Sequence, residues 1–167
     1  MQYTLDQSDT VVTPNGARLY RIRYADGTCG GYLQSTANLD PESDARVTGN
    51  ARVTGNAQVT GNAQVTGNAQ VYGNAQVYGN ARVTGNAQVS APEHCLTIGP
   101  LGSRNATLTV CRDSKLGISY NTGCFFGSRD AFIAAVEATH SNTPYGNAYA
   151  AAIMLADHVV PAFKSGD

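Results

Sequence analysis

The sequence predicts a mainly β fold in which a parallel β-helix is followed by a small α+β domain. The first observation is a six-residue unit, ARVTGN, AQVTGN or AQVYGN, that repeats from Ala45 seven complete times and most of an eighth. The second is the end of this repeat at Ser90, after which strand-like segments lead into two helix-like segments. We therefore expect an N-terminal β-hairpin cap over residues 1–32, the β-helix over residues 33–90 and the α+β domain over residues 91–167.

Each hexamer holds one valine, an alanine two residues before it and a Gly-Asn pair that accepts the positive φ of a sharp corner. Three hexamers then close one triangular coil of about 18 residues, with short parallel strands as sides and valines pointing inward. An amphipathic helix does not fit, because a glycine in each hexamer would cost roughly 1 kcal/mol and apolar residues recur every six positions. Disorder does not fit the strict phase of Val and Ala. The same spacing at Leu33 and Leu39 predicts that the coils begin near Leu33, with both leucines in the alanine position.

The segment before the repeat carries two turn signals. Thr13-Pro14-Asn15-Gly16 is typical of a turn, and Asp26-Gly27 is typical of a hairpin between residues 17–24 and 28–33. An uncovered end of the coils would expose backbone groups and apolar interior. We therefore expect this hairpin to cap the lower coil.

The pattern changes after residue 90. We expect a small sheet with two helices on one face, the helices running from about Ser128 to Thr139 and from about Gly146 to Phe163. The second helix carries a mostly apolar stripe at near-helical spacing: Tyr149, Ile153, Ala156 and Val160. The strands are expected at residues 95–98, 106–112, 117–120 and 123–126.

The hexamers resemble the hexapeptide-repeat family, whose members form left-handed parallel β-helices and pack as homotrimers. Residues 18–90, in which LYRIR leads through GGYL and NL into the repeat, also resemble phage and prophage proteins of uncharacterised function. LTIGPLGSR and the later GCFFGS resemble a C-terminal module of phage proteins. The resemblance implies a left-handed helix, a homotrimer and a bacteriophage origin.

Stacking of residues 18 apart would sort the outward side chains onto three faces. Tyr72 and Tyr78 would then lie on neighbouring faces at similar height, and Arg82 on the remaining face. A tyrosine ring that stacks on a base, beside an arginine that binds phosphate, makes a nucleotide site, and trimer formation would bring such groups together. Ordinary solvated strand positions explain the same residue types. We name Tyr72, Tyr78 and Arg82 as candidate ligand-binding residues.

The tripeptide Gly-Ser-Arg occurs twice, at residues 102–104 and 127–129. Each copy offers a backbone N–H, a hydroxyl and a guanidinium, and the second copy opens a predicted helix whose N-terminus attracts anions. An ordinary turn and an ordinary N-cap explain the same residues. We name Ser103, Arg104, Ser128 and Arg129 as candidate ligand-binding residues outside the coils.

The coils lack the histidines of the enzymes built on hexapeptide repeats. Acyltransferases and zinc carbonic anhydrases of that family place histidines on or beside the coils, whereas this chain has none between residues 31 and 93. His94, His140 and His158 show no metal-ligand spacing and are interpreted as surface or helix-end residues. We expect no catalytic residue, no metal and no cofactor, with an unusual acyltransferase as an open alternative.

Charge and apolar content limit the partners. Residues 45–90 carry three arginines and no acid, which is too little charge for duplex nucleic acid but fits a small anion. The N-terminus does not resemble a leader, and no stretch reaches the roughly 18 apolar residues of a membrane span. We expect a soluble protein of the host cytoplasm, with a virion location open.

The four cysteines are expected to be reduced and mostly buried: Cys29, Cys95, Cys111 and Cys124.

Two interpretations of function follow. The first is a non-catalytic, trimeric phage protein that sequesters a small anionic, nucleotide-like ligand, such as a cyclic nucleotide signal of host defence, in clefts between subunits or domains. The second is a structural or virion spacer whose coils set only distance and multiplicity. Loss of function on deleting one coil would favour the first interpretation, and tolerance of that deletion would favour the second.

Overall fold

A computed structural model describes residues 2–163, and the chain divides into two compact units, Met1–Pro92 and Glu93–Asp167. The first unit begins with three antiparallel strands: β1 (Tyr3–Val12), β2 (Arg18–Tyr24) and β3 (Cys29–Leu33). Eight two-residue strands follow: β4 (Arg46–Val47), β5 (Arg52–Val53), β6 (Gln58–Val59), β7 (Gln64–Val65), β8 (Gln70–Val71), β9 (Gln76–Val77), β10 (Arg82–Val83) and β11 (Gln88–Val89).

The short strands stack into a β-helix of three faces. Face A contains β3, β5, β8 and β11, face B contains β6 and β9, and face C contains β4, β7 and β10. Each of the strands β4 to β8 pairs in parallel with the strand 18 residues later, as Gln70 does with Gln88. The predicted coil of 18 residues is therefore confirmed, and so is the predicted sorting of the outward side chains onto three faces. Handedness stays a prediction of the resemblance.

The interior of the coils is built from the two apolar positions of the hexamer. The valines and alanines of every hexamer from Ala45 to Val89 are at most 2% exposed. The corner glycines have φ between 64° and 70°, a region that side chains disfavour. At the same corners Asn50 bonds to Asn68, Asn56 to Asn74 and Asn62 to Asn80, at 3.3–3.4 Å. Burial inside and asparagine pairs outside hold one coil on the next.

The first parallel pairing of the coils joins β3 to β5 at Tyr32 and Leu33, but the predicted phase of the first coil is wrong. Leu33 pairs with Val53, and Leu39 forms a bridge with Val59, so both leucines occupy the valine position rather than the alanine position. The spacing to the next coil is 20 residues here, because the connection that follows Leu39 is two residues longer than a hexamer allows. Asn38 is buried in this coil, and its amide Nδ2 donates to the carbonyl oxygens of Gly55 and Ala57.

The N-terminal strands cap the lower end of the coils, as predicted. The turn at residues 13–16 joins β1 to β2, and Asp26-Gly27 joins β2 to β3, but the ten-residue strand β1 was not predicted. Its pairing with β2 is interrupted by a register shift between Asp6 and Thr10, which hides the alternation typical of a strand. The phenol of Tyr24 is buried, accepts from the N–H of Val47 (2.8 Å) and donates to its carbonyl oxygen (3.0 Å). One side chain thus satisfies both backbone groups at the edge of the first coil on face C.

The second unit is a four-stranded antiparallel sheet with two helices. The strands run in chain order: β12 (Cys95–Leu101), β13 (Ala106–Asp113), β14 (Gly117–Thr122) and β15 (Phe125–Ser128). The helices are α1 (Arg129–His140) and α2 (Pro144–Val159). Their buried core includes Leu108 and Tyr120 from the sheet and the apolar stripe predicted for α2. The mainly β fold with a small α+β domain is confirmed.

Helix α2 is displaced from its predicted bounds at both ends. Thr143 caps its N-terminus by accepting from the N–H of Gly146, and Pro144 occupies the first turn, where no N–H is required. Pro161 follows its C-terminus and prevents the helix from reaching Phe163. None of the helices among residues 2–163 has the length and apolar character needed to cross a membrane.

The expectation of four reduced, mostly buried cysteines is wrong. Cys95 and Cys111 lie directly opposite each other on β12 and β13 and are joined by a disulfide. Cys29 and Cys124 are free and exposed. Sequence spacing gave no sign of the disulfide, because the register of two antiparallel strands determines which residues face each other.

Candidate functional site

A groove lies on face A of the first unit, beside the turn between β1 and β2. The groove has a volume of about 610 Å³, within the range typical of ligand sites. The turn contributes one wall, and two neighbouring columns of outward side chains on face A contribute the other. Its lining comprises Thr13, Pro14, Asn15, Ala17, Gln34, Arg52, Thr54, Gly55, Gln70, Val71, Tyr72, Gly73 and Gln88. We call it the solenoid groove.

Arg52 gives the solenoid groove its charge. It is the only charged side chain among the described residues that line the groove. Its side chain is half-buried, and it has no hydrogen-bond or ion-pair partner within residues 2–163, unlike Arg21, which pairs with Asp9. An unpaired guanidinium that is partly withdrawn from water is a strong binding group for carboxylate or phosphate.

Tyr72 places an aromatic ring in the same groove. Arg52 pairs directly with Gln70, and Tyr72 follows Gln70 by two residues, so Tyr72 is a diagonal neighbour of Arg52 on the same outward surface. Such diagonal neighbours lie about 7–8 Å apart between backbones, within reach of long side chains. Tyr72 is half-buried and belongs to the lining of the groove.

The structure does not bring Tyr78 and Arg82 into this groove. Tyr78 follows β9 on face B and is 66% exposed, and Arg82 belongs to face C. The sequence map placed these residues on their faces correctly. The same sorting puts Arg52 on the face of Tyr72, but Arg52 was not among the predicted ligand-binding residues, because the hexamer period does not distinguish it from Arg46 and Arg82. In the structure the turn at residues 13–16 lies beside Arg52, whereas Arg46 forms an ion pair with Asp26.

The first Gly-Ser-Arg copy lines a separate pocket within the second unit. Gly102 adopts φ of 72° in the turn between β12 and β13, and a side chain there would meet the hydroxyl of Tyr149. Ser103 and Arg104 are exposed and line a cavity of about 330 Å³. Arg104 has no side-chain partner among the residues that the structure describes.

The second Gly-Ser-Arg copy is built into the helix packing. Ser128 caps α1 by accepting from the N–H of Ala131, at 3.3 Å. Arg129 donates to both carboxylate oxygens of Asp157 on α2, at 2.8 and 2.6 Å. These bonds lower the pKa of Asp157. Ser128 and Arg129 therefore stabilise α1 and its contact with α2. Neither residue belongs to the lining of the solenoid groove or of the cavity that Ser103 and Arg104 line.

The histidines lie in the second unit. His94 is 8% exposed and lies 3.2 Å from the guanidinium of Arg112, so its interpretation as a surface residue is wrong. His140 ends α1 as expected, and its ring stacks on Tyr149. His158 is exposed on α2. Among the residues described, no three His, Cys, Asp or Glu side chains are placed to hold a metal ion. The absence of enzymatic activity stays a prediction.

The comparison with known families agrees with the coil geometry. Residues 45–61 and 75–91 match the YdcK beta solenoid repeat family, and these two segments make up about a fifth of the chain. Neither the curated proteins nor the solved structures give a significant match. The stacked coils and this match define the chain as a repeat β-helix protein with a separate α+β domain.

Proposed function

We propose that the protein is a non-catalytic binder that holds a small anionic, nucleotide-like ligand in the solenoid groove. The observation that carries the proposal is Arg52, a half-buried guanidinium without a protein partner, beside the ring of Tyr72. A charged group that is partly removed from water is stabilised by a counter-charge. A ligand anion would supply that charge.

The charge of the surroundings favours an anion over a cation. The coils from residue 45 to residue 90 contain no aspartate or glutamate. Asp9, on the neighbouring strand β1, is engaged by Arg21, whose Nε lies 3.2 Å from its carboxylate. No acid in the described lining of the groove competes for Arg52. Arginine also matches phosphate better than lysine does, since its planar fork can donate two hydrogen bonds at once.

The remaining lining favours a ligand with a flat polar ring. The phenol of Tyr72 can stack on a base, an interaction that tolerates any base because every base has a π face. Gln70 and Gln88 present amide groups in the column of Arg52, and an amide can both donate and accept hydrogen bonds at a base edge. A phosphate on Arg52 and a base on Tyr72 together describe a nucleotide.

A phage origin, implied by the resemblance of residues 18–90, would give such binding a biological use. A protein that binds a cyclic nucleotide without cleaving it lowers the free concentration of a host defence signal. Self-association into a trimer would multiply the sites per particle. The exposed ring of Tyr78 on face B is available to such an interface.

Calorimetric titration of the full chain with cyclic di-AMP, a cyclic trinucleotide and ADP-ribose tests the proposal. We expect at least one to bind, and Arg52→Gln to weaken that binding about tenfold or more, because a charge-assisted hydrogen bond is lost. Arg82→Gln makes the same change in the same hexamer position on face C and should leave the affinity unchanged. Absence of binding by all three compounds to the folded chain, or equal weakening by both variants, would reject the proposal.

The spacer interpretation is favoured by a different observation, the uniformity of the coils. The backbone hydrogen bonds between coils have N···O distances of 2.8–3.0 Å from Arg46 to Tyr72. Because the coils are so uniform, one coil could be added or removed without changing how the others pack. Deletion of residues 69–86 removes one coil in phase and takes Tyr72 with it. If residues 69–86 are replaced by three AQVTGN hexamers, which restore one plain coil, a spacer should keep its function. A ligand binder should lose its function, because Tyr72 is missing.

A further inference from the structure

A cavity in the second unit has the composition of a second ligand site. It is bounded by the turn after β12, the turn between β14 and β15, and the side chains of α1 and α2 that face them. Its volume is about 330 Å³, at the lower end of the range for ligand sites, which suits a ligand of one ring. We call it the C-terminal pocket.

The floor of the C-terminal pocket is aromatic. Phe132 is 2% exposed, and its ring lies 5.2 Å from that of Phe125 and 5.6 Å from that of Tyr149, the latter edge to face. Ala135 and Val136 of α1 complete the apolar lining. Aromatic rings favour further rings at offset or edge-to-face positions, beyond the gain from burying apolar area. The floor therefore suits an aromatic ring.

A polar group without a partner lies in the same lining. Thr122 ends β14 and is 8% exposed, and its Oγ1 is buried with no hydrogen-bond partner within residues 2–163. A buried hydroxyl left unpaired costs about 1–3 kcal/mol, so such groups are uncommon in folded proteins. Thr122 pairs in register with Phe125, which places its side chain at the edge of the aromatic floor. A bound molecule would give this hydroxyl a hydrogen-bond partner.

The rim of the pocket is cationic. Arg104 is exposed, lines the pocket and has no side-chain partner among the described residues. No aspartate or glutamate belongs to the described lining. Ser103 adds a hydroxyl beside the guanidinium. An anionic group at the rim and an aromatic ring on the floor are complementary to these two surfaces.

We propose that the C-terminal pocket binds a small aromatic monocarboxylate, with its carboxylate on Arg104 and its ring against Phe132, and that Thr122 supplies a hydrogen bond inside. This site is independent of the solenoid groove. It differs in chemistry as well, because an arginine and three glutamines line the groove, whereas aromatic rings form the floor of the pocket.

Alkylation of the free thiols provides a first test on the full chain. Cys124 is exposed and lines the pocket, whereas Cys29 is exposed in the first unit, so one thiol reports on the pocket and the other serves as the control. With phenylacetate at ten times its dissociation constant, the rate of carbamidomethylation at Cys124 should fall about tenfold, by mass action. The rate at Cys29 should not change. Acetate, which lacks the ring, and phenylacetamide, which lacks the charge, should protect Cys124 much less.

Two substitutions provide the second test, read by phenylacetate titration and by thermal unfolding. Arg104→Gln should weaken binding about tenfold or more, and Thr122→Val about threefold or more, since each removes one hydrogen bond to the ligand. Thr122→Val should also leave the melting temperature unchanged or raise it, because the hydroxyl has no partner in the free protein. Arg52→Gln should not affect phenylacetate binding, which separates this proposal from the one for the groove.

Three results would overturn the proposal. The first is equal alkylation of Cys124 with and without phenylacetate at saturating concentration. The second is protection by phenylacetamide equal to that by phenylacetate, which would remove the role of Arg104. The third is a lower melting temperature of Thr122→Val with unchanged affinity, which would show that the hydroxyl serves the fold.

Discussion

Replacement of Tyr24 by phenylalanine removes one oxygen atom from the cap of the first coil. The phenol both accepts from the N–H of Val47 and donates to its carbonyl oxygen, at 2.8 and 3.0 Å. The ring itself should stay in place, because Phe retains its edge contact with Tyr3 and its position under the guanidinium of Arg46. The substitution therefore isolates the two hydrogen bonds.

The magnitude follows from the burial of both residues. Val47 is fully buried and Tyr24 is 3% exposed, so water does not readily replace the lost oxygen. A buried backbone group that loses its partner costs about 1–3 kcal/mol, and two such groups give a loss of about 2–6 kcal/mol. With a urea dependence of about 2 kcal/mol per molar, the unfolding midpoint should fall by about 1–3 M.

Urea unfolding of the full chain, followed by circular dichroism at the β-sheet signal, measures this loss. Tyr20→Phe is the matched control, since Tyr20 on β2 is half-buried and its hydroxyl has no hydrogen-bond partner among the described residues. It should change the free energy of unfolding by less than about 0.5 kcal/mol. Equal midpoints for the two variants would show that the phenol of Tyr24 does not hold the lower end of the coils.

Three further predictions concern other parts of the chain. Burial raises the pKa of Tyr3 and of Tyr120 to about 12. The stability that the neutral phenols contribute is therefore fully present below pH 10 and should be lost as the pH rises toward 12. Over this pH range the urea midpoint of Tyr120→Phe should fall less steeply than that of the unmodified chain. Arg129→Gln should lower the stability of the second unit by about 1 kcal/mol, since the pair with Asp157 is partly exposed, and should leave binding of cyclic nucleotides unchanged by calorimetry. Asn38→Ala should cost about 2–3 kcal/mol in urea unfolding, because it leaves the carbonyls of the adjoining corner without donors.

The regular part of the fold could be predicted because the repeat determines it. A period of six, with one valine and one alanine in phase, leaves a triangular coil as the arrangement that buries both. The first coil departs from that period, and its phase was therefore predicted incorrectly. Leu33 and Leu39 keep a spacing of six, but the longer connection after Leu39 moves them to the valine position, and only the observed pairing with Val53 shows this.

The candidate site could be predicted only in part, because it depends on non-local contacts. The outward position of Tyr72 followed from the period alone. The importance of Arg52 did not, since the turn that forms the opposite wall of the groove lies about forty residues earlier in the chain. The same reason applies to Arg129, whose partner Asp157 lies on the other helix, and to Cys95 and Cys111, which are brought together by strand register.

Small molecules that remain bound through purification provide the most direct test of the solenoid groove. The unmodified chain, Arg52→Gln and Arg82→Gln would be purified from the same host and examined by native mass spectrometry. We expect a phosphate-containing compound with an aromatic base on the unmodified chain and on Arg82→Gln, and its loss from Arg52→Gln. A compound retained equally by all three proteins, or a bound species without phosphate, would contradict the assignment of the groove.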